Sequence, residues 1–247
     1  MTALTLSSAN ISFRPVAGVK VAPLQREFRG AWIATVNNID WPSHPNLTTS
    51  QQQKELRTLI GRAAALRLNC VIFQVRPACD ALYVSRLEPW SEYLTGKMGR
   101  APKPAWDPLA FAIGEAHRQG MELHAWFNPY RARYKGAKRA AATNHISRTQ
   151  PALVKAYNGF QWLDPAEAAA RAHSLRVILD VVQRYDVDGI HIDDYFYPYP
   201  DTKHTAFPDD ASWKKYRGNM ARNDWRRMHI NNFIRQINTE THRVKPW

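Results

Sequence analysis

Three short stretches carry side chains capable of chemistry at alternate positions. They are Gln74-Val-Arg76, His124-Ala-Trp-Phe-Asn128 and His191-Ile-Asp-Asp194. A carboxylate such as Asp193 can attack an electrophilic carbon or stabilise positive charge that develops on it. Arginine, glutamine, asparagine and histidine hydrogen-bond hydroxyl groups and anions. Two histidines and a carboxylate, here His124, His191 and Asp193, would also suit zinc or iron. No compact motif such as H-E-x-x-H is present, so neither a metal nor a cofactor is assigned.

Alternation aims side chains at one place only if each stretch is a strand. Four extended apolar segments are predicted: Arg29 to Val36, Cys70 to Arg76, Met121 to Asn128 and Asp188 to Asp193. They read as buried parallel strands. Helical stripes lie between and after them. One is Leu56, Leu59, Ile60, Ala63 and Ala64; another is Leu175, Ile178, Leu179 and Val182; the last is Ile230, Phe233, Ile234 and Ile237. Asp107-Pro108 and Asp164-Pro165 each place a capping residue before a proline at a first helical position, and Gly120 sits at a helix stop. The order is βαβαβαβα, which gives a parallel sheet, either open and doubly wound or closed into a barrel. In a barrel, parity turns Val71, Phe73, Val75, Leu123, Ala125, Phe127, Ile190 and Ile192 toward the helices. Gln74, Arg76, His124, Trp126, Asn128, His191 and Asp193 then face the axis. Asp194 has the opposite parity and belongs to the rim, or shares the role of Asp193 if the strand kinks.

The connections locate the working face. Those from helix to strand are short. Those from strand to helix are long: Pro77 to Trp106, Pro129 to Leu163 and Asp194 to Asn223. All three lie at the C-terminal ends of the strands, where α/β proteins build their sites. No glycine-rich phosphate loop follows any strand, which counts against a nucleotide site. The loops are rich in aromatic residues, Tyr130 and Tyr195 among them. Such rings suit sugar faces or single-stranded bases, or simply pack the loops down.

The 247 residues are 45% hydrophobic with a formal net charge of +13. The basic residues are dispersed, with the densest run from Arg131 to Arg139, so they read as a solvated surface and no specific nucleic-acid partner is assigned. No stretch approaches a membrane span, and Met1 to Lys20 lacks the apolar core of a secretory signal. Residues 1–25 read as a poorly ordered extension and 26–247 as the folded domain. Cys70 and Cys79 are expected to be free thiols, with Cys70 buried.

Four ordered motifs carry a resemblance. They are the segment from Arg26 to Pro42, which includes Trp41; the segment from Asn69 to Pro77 with Asp80-Ala-Leu-Tyr83; the segment from Leu123 to Arg131; and the segment from Asp188 to Pro198. The chain resembles the bacterial glycosyl-hydrolase-10-like family from Arg26 onward. The resemblance implies an α/β fold of TIM type, a parallel (β/α)8 barrel, and hydrolysis of a polysaccharide. It also implies export to the cell envelope or beyond. A characterised member type cleaves peptidoglycan glycan strands stripped of peptides. The last motif is also similar to one in the α-amylase superfamily, whose strand-end aspartate is the nucleophile, and that position is Asp193. On this reading Asp193 and Asp194 are the catalytic candidates. Arg76, Gln74, His124, Asn128 and His191 hydrogen-bond sugar hydroxyls, and Trp41, Trp126, Tyr130 and Tyr195 stack on rings.

Only about the first four β/α units of such a barrel are recognisable. Glycoside hydrolysis usually takes two carboxylates, and the second is unassigned: Asp40, Asp80 and Glu88 are loop candidates. Two further expectations follow: a truncated, non-catalytic carbohydrate-binding fragment, or a homodimer that completes the barrel.

Overall fold

The computed structural model describes residues 27–137 and 139–246. The extension expected over residues 1–25 lies outside them. Four parallel strands pair in chain order: β1 (Gly30–Ile33), β2 (Cys70–Arg76), β3 (Glu122–Phe127) and β7 (Gly189–His191). The register runs Trp32 to Ile72, Ile72 to His124 and His124 to Gly189, then one step higher Gln74 to Trp126 and Trp126 to His191. The sheet is open among the described residues, with β1 and β7 at its two edges and no closed barrel.

Local sequence sets the helices between the strands. In α1 (Thr49–Ala65) the Thr48 hydroxyl and the Gln51 side chain form a reciprocal capping box, and Leu56, Ile60 and Ala63 are buried. In α3 (Pro108–Arg118) Asp107 caps the N-terminus and Pro108 opens the first turn. Gly120 follows with φ +69, the left-handed stop expected of it. The second aspartate–proline pair behaves otherwise. Helix α5 (Ala168–Arg184) begins three residues after Pro165. Asp164 instead accepts the Ala166 N–H at 3.0 Å and the Ser212 hydroxyl at 2.6 Å, so it ties a turn to a distant loop. Helix α7 (Arg222–Val244) packs against α5.

The helix-facing sides of the strands form the core. Val71, Phe73, Val75, Leu123, Ala125 and Phe127 are buried with Leu56, Ile60, Leu109, Val177 and Val181. The long connection after β3 carries a second, antiparallel sheet ordered β4 (Arg131–Arg133), β6 (Phe160–Leu163), β5 (Val154–Tyr157). Strands β5 and β6 are joined by Asn158-Gly159, both at positive φ, which matches the twist of a two-residue hairpin. Short helices α2 (Glu92–Thr95), α4 (Ile146–Thr149) and α6 (Asp210–Tyr216) stiffen the remaining loops. Cys70 and Cys79 are both buried and free. No described helix is long and apolar enough to cross a membrane.

Candidate active site

The face of the sheet away from the helices carries most of the candidate residues. Trp126 and His191 are cross-strand neighbours on it, with rings 6.0 Å apart at 83°. The Trp32 indole N–H donates to His191 Nε2 at 3.0 Å, which leaves that nitrogen unprotonated and puts the ring proton on Nδ1. Burial holds His191 below the usual histidine range, against an opposing pull from Asp193.

Asp193 lies two residues past the end of β7 and is half-buried. Burial raises its carboxyl above the usual range, while Arg131, the Tyr195 main chain and His191 pull it back down. Its Oδ1 is buried with no hydrogen-bond partner among the described residues. Such an oxygen is costly to leave unpaired. Asp194 is exposed, and both its oxygens accept from the Tyr199 hydroxyl, at 3.1 and 3.2 Å. The two adjacent carboxylates therefore stand in different environments: one is recessed and the other lies on the rim.

Arg131 is a member of this site that strand parity does not reveal. Its Nε donates to the Pro77 carbonyl at 2.8 Å, and its guanidinium lies 5.5 Å from the Tyr195 ring centre and 5.8 Å from that of Tyr134. Burial lowers its pKa, and Tyr93 and Asp193 are the leading opposing influences. Asn128 seats it, accepting the Arg131 N–H at 2.7 Å and the Tyr130 N–H at 3.3 Å on Oδ1. Tyr195 is held from the other side: its ring meets Trp162 at 4.9 Å edge to face, and the Trp162 indole donates to the Phe196 carbonyl at 2.9 Å. The small antiparallel sheet thus supports the loop that carries Asp193.

Several sequence candidates occupy other places. Trp41 has no exposed surface; its indole donates to the Gln52 carbonyl at 3.0 Å and its ring packs edge-on against Phe73 and Trp106. Tyr130 is equally buried, against Phe233. Both lie in loops, where strand parity gives no direction, and both have been drawn into the core, so neither ring is available to stack on a sugar. Arg76 is also fully buried. It pairs with Glu88 at 2.5 and 2.8 Å and donates to the Asn128 carbonyl at 2.8 Å, so it braces the β2–β3 mouth and does not pair with Asp193. Gln74 accepts the Thr35 and Val36 N–H groups at 3.0 and 2.8 Å and joins the end of β1 to β2. Its Nε2, the Asn128 Nδ2 and the Trp126 Nε1 are buried without partners among the described residues, three donors left near the C-terminal ends of β2 and β3.

His124 sits lower on β3, near the N-terminal end of the sheet, where it bonds Glu122 at 3.0 Å under the Phe28 ring. Among the described residues, the ligating groups close enough for one metal ion are Cys70, Glu122 and His124, within 4.8 Å of one another. His124, His191 and Asp193 do not come that close to one another. Of the candidate second carboxylates, Glu88 is buried between Arg76 and His173, Asp80 is fully buried, and Asp40 accepts the Ala34 N–H at 2.7 Å to close a turn.

Known proteins place this geometry in a family. The glycosyl hydrolase-like 10 profile matches residues 27–247. The chain is 41% identical over 229 residues to the glycosyl hydrolase YngK of Bacillus subtilis, covering 92% of this chain and 44% of that protein. It is 34% identical over 238 residues to the glycosyl hydrolase DigH of Escherichia coli K12, covering 88% of this chain and 53% of that protein. The chain therefore spans about half the length of these relatives. In structure it is similar to α-L-fucosidase isoenzyme 2 of Paenibacillus thiaminolyticus, with a TM-score of 0.58 at 12% identity over 90% of this chain and 31% of that one. A chitobiase of Flavobacterium johnsoniae gives 0.54 at 10% identity over 88% and 30%. These two likenesses bear on the fold alone, a mixed α/β arrangement on a parallel sheet as in TIM-barrel glycosidases. With a family profile that spans the folded residues and relatives this similar, the chain belongs to the glycosyl hydrolase-like 10 family.

Proposed function

We propose that the chain provides the glycan-cleaving face of a glycoside hydrolase that acts on bacterial cell-wall polysaccharide, the peptide-free glycan strands of peptidoglycan. Its place of work is the cell envelope. The observation that carries this reading is the Asp193 carboxyl, recessed at the C-terminal end of the sheet with one oxygen unpartnered and Arg131 beside it. A group in that setting can attack the anomeric carbon or face the positive charge of an oxocarbenium-like transition state. Arg131 and the Tyr195 main chain favour its ionised form, the form either role needs. Trp126, Tyr195 and the exposed Trp32 offer apolar ring faces to a sugar, and neutral His191 is fixed in one tautomer among them. Asp194 with Tyr199 supplies polar groups on the rim.

Glu88 is held by Arg76 and His173, Asp80 is fully buried, and the exposed Asp40 accepts the Ala34 N–H, so none of the three is assigned as the proton donor. In this reading it comes from a further segment of polypeptide, in the same chain or in a second copy, seated against the open sheet. The chain and an Asp193→Ala variant are incubated with peptide-free peptidoglycan glycans, and the products are analysed by mass. Release by the unsubstituted chain alone supports catalysis. Binding by both without release identifies a carbohydrate-binding unit that lacks the acid. Absence of both binding and release refutes the reading.

A further inference from the structure

A hollow of about 360 Å³ opens beside β4 and is lined by Arg133, Arg139, Ser147, Arg148 and Gln161 together with small alanines. Three arginines contribute to its lining. The one acidic partner they have among the described residues is Glu92, 3.7 Å from Arg133. The Arg133 side chain is about nine-tenths buried, with 9% of its surface exposed. Its Nη2 donates to the Arg139 carbonyl, and its Nη1 has no partner among the described residues. Among the described residues Arg148 reaches only the Ala141 carbonyl, at 3.3 Å. On the opposite side of the polar balance, the Gln161 Oε1 is also buried and unpartnered. A buried guanidinium with an unpartnered nitrogen, beside two exposed arginines, favours a bound anion. The unmatched acceptor asks in addition for a hydroxyl or amide donor.

An acidic sugar offers both, a carboxylate and hydroxyl or amide donors on the same ring. The position agrees. Arg133 lies two residues from Arg131 on the same short strand, which begins beside the Asp193 site. We propose that this hollow is a subsite for the carboxylate of a substrate sugar, held by Arg133, Arg139 and Arg148 with Gln161 accepting a hydroxyl or amide of the same ring. The inference rests on the proposed glycan substrate and narrows it. In a peptide-free strand every second sugar bears a lactyl group whose carboxylate is free.

The test compares two ligands by calorimetry on the whole chain: a peptide-free peptidoglycan oligosaccharide, and the same oligosaccharide with its carboxylates reduced to alcohols. Charge-assisted hydrogen bonds predict roughly tenfold or greater preference for the acidic form. The Arg139→Gln/Arg148→Gln variant, altered only at exposed side chains, should lose that preference and keep its affinity for the reduced form. Arg133→Gln should do the same, with folding checked by circular dichroism. Equal binding of both ligands by the unsubstituted chain, or a preference that survives the double substitution, overturns the subsite and leaves the glycan reading standing. Binding of neither ligand overturns both.

Discussion

The Trp32 indole N–H meets His191 Nε2 at 3.0 Å, although the two residues belong to the first and last strands of the four-stranded sheet. Three interstrand steps in a flat sheet span about 14 Å. The contact therefore requires the face to be concave, and the curvature gathers Trp32, Trp126 and His191 into one wall below Asp193.

That bond stabilises neutral His191, because only an unprotonated Nε2 can accept. Trp32→Phe removes the donor and keeps an apolar ring. The His191 pKa should rise toward the ordinary histidine value, read by NMR titration of its imidazole. Its loss should cost about 0.5–1.5 kcal/mol, and so about tenfold or less in glycan turnover. An unchanged titration would show that burial alone sets the histidine.

Arg76 and Glu88 form a buried pair whose partners are not interchangeable with water. Burial by itself would raise Glu88, but Arg76 and His173 outweigh it and hold the carboxyl at about 2. A carboxyl depressed in the native state contributes stability that is fully present above its ordinary pKa and is lost as pH falls through the native value. Acid unfolding should therefore include a component between about pH 4.5 and 2 that Glu88→Gln lacks. At neutral pH Glu88→Ala strands a buried guanidinium and should cost about 3–5 kcal/mol in urea denaturation. Replacing both partners, Arg76→Met with Glu88→Leu, should cost less than either single removal.

The parallel strands and the faces of their side chains were legible because a strand alternates with period two and the helix-facing residues are aliphatic. Val71, Phe73, Leu123 and Ala125 reach the core as alternation predicts. In the loops that rule has no force. Trp41 and Tyr130 read as sugar platforms by residue type, yet large aromatics are also what long connections bury. The antiparallel sheet went unread although Asn158-Gly159, a strong hairpin signal, lies at its turn. Its strands are only three or four residues long and show no clean alternation. Arg131 was legible only as part of a basic run. Its place beside Asp193 depends on the Asn128 turn and the Pro77 carbonyl, contacts between elements far apart in sequence.

Gly189 shows a packing constraint on the lower sheet. A Cβ built there would lie 2.7–2.8 Å from three atoms of the His124 ring. Gly189→Ala should destabilise by about 1–3 kcal/mol, the usual range for overpacking. Because the clash is with a single side chain, adding His124→Ala should restore much of the loss in a thermal melt. If the double variant melts no higher than Gly189→Ala, the strain lies in the β7 backbone and not against His124.

Asp80 carries the opposite pH signature to Glu88. Burial pushes its carboxyl up to about 7, and the nearby Ser91 hydroxyl and the hydrogen bond from the Ala78 N–H offset only part of that. Between its ordinary value of 3.8 and about 7 the folded protein holds a proton that the unfolded chain has released. Stability contributed by this site is therefore present at low pH and declines as pH rises through that window. Asparagine has the shape of the protonated acid and still accepts from Ala78 through its amide oxygen. Asp80→Asn should match the unsubstituted protein near pH 4 and exceed it by about 2–4 kcal/mol above pH 7, measured as urea midpoints across the range. A variant that is less stable at every pH would mean that the carboxylate is used in its charged form, with Arg131, which shares its surroundings, as the first place to look.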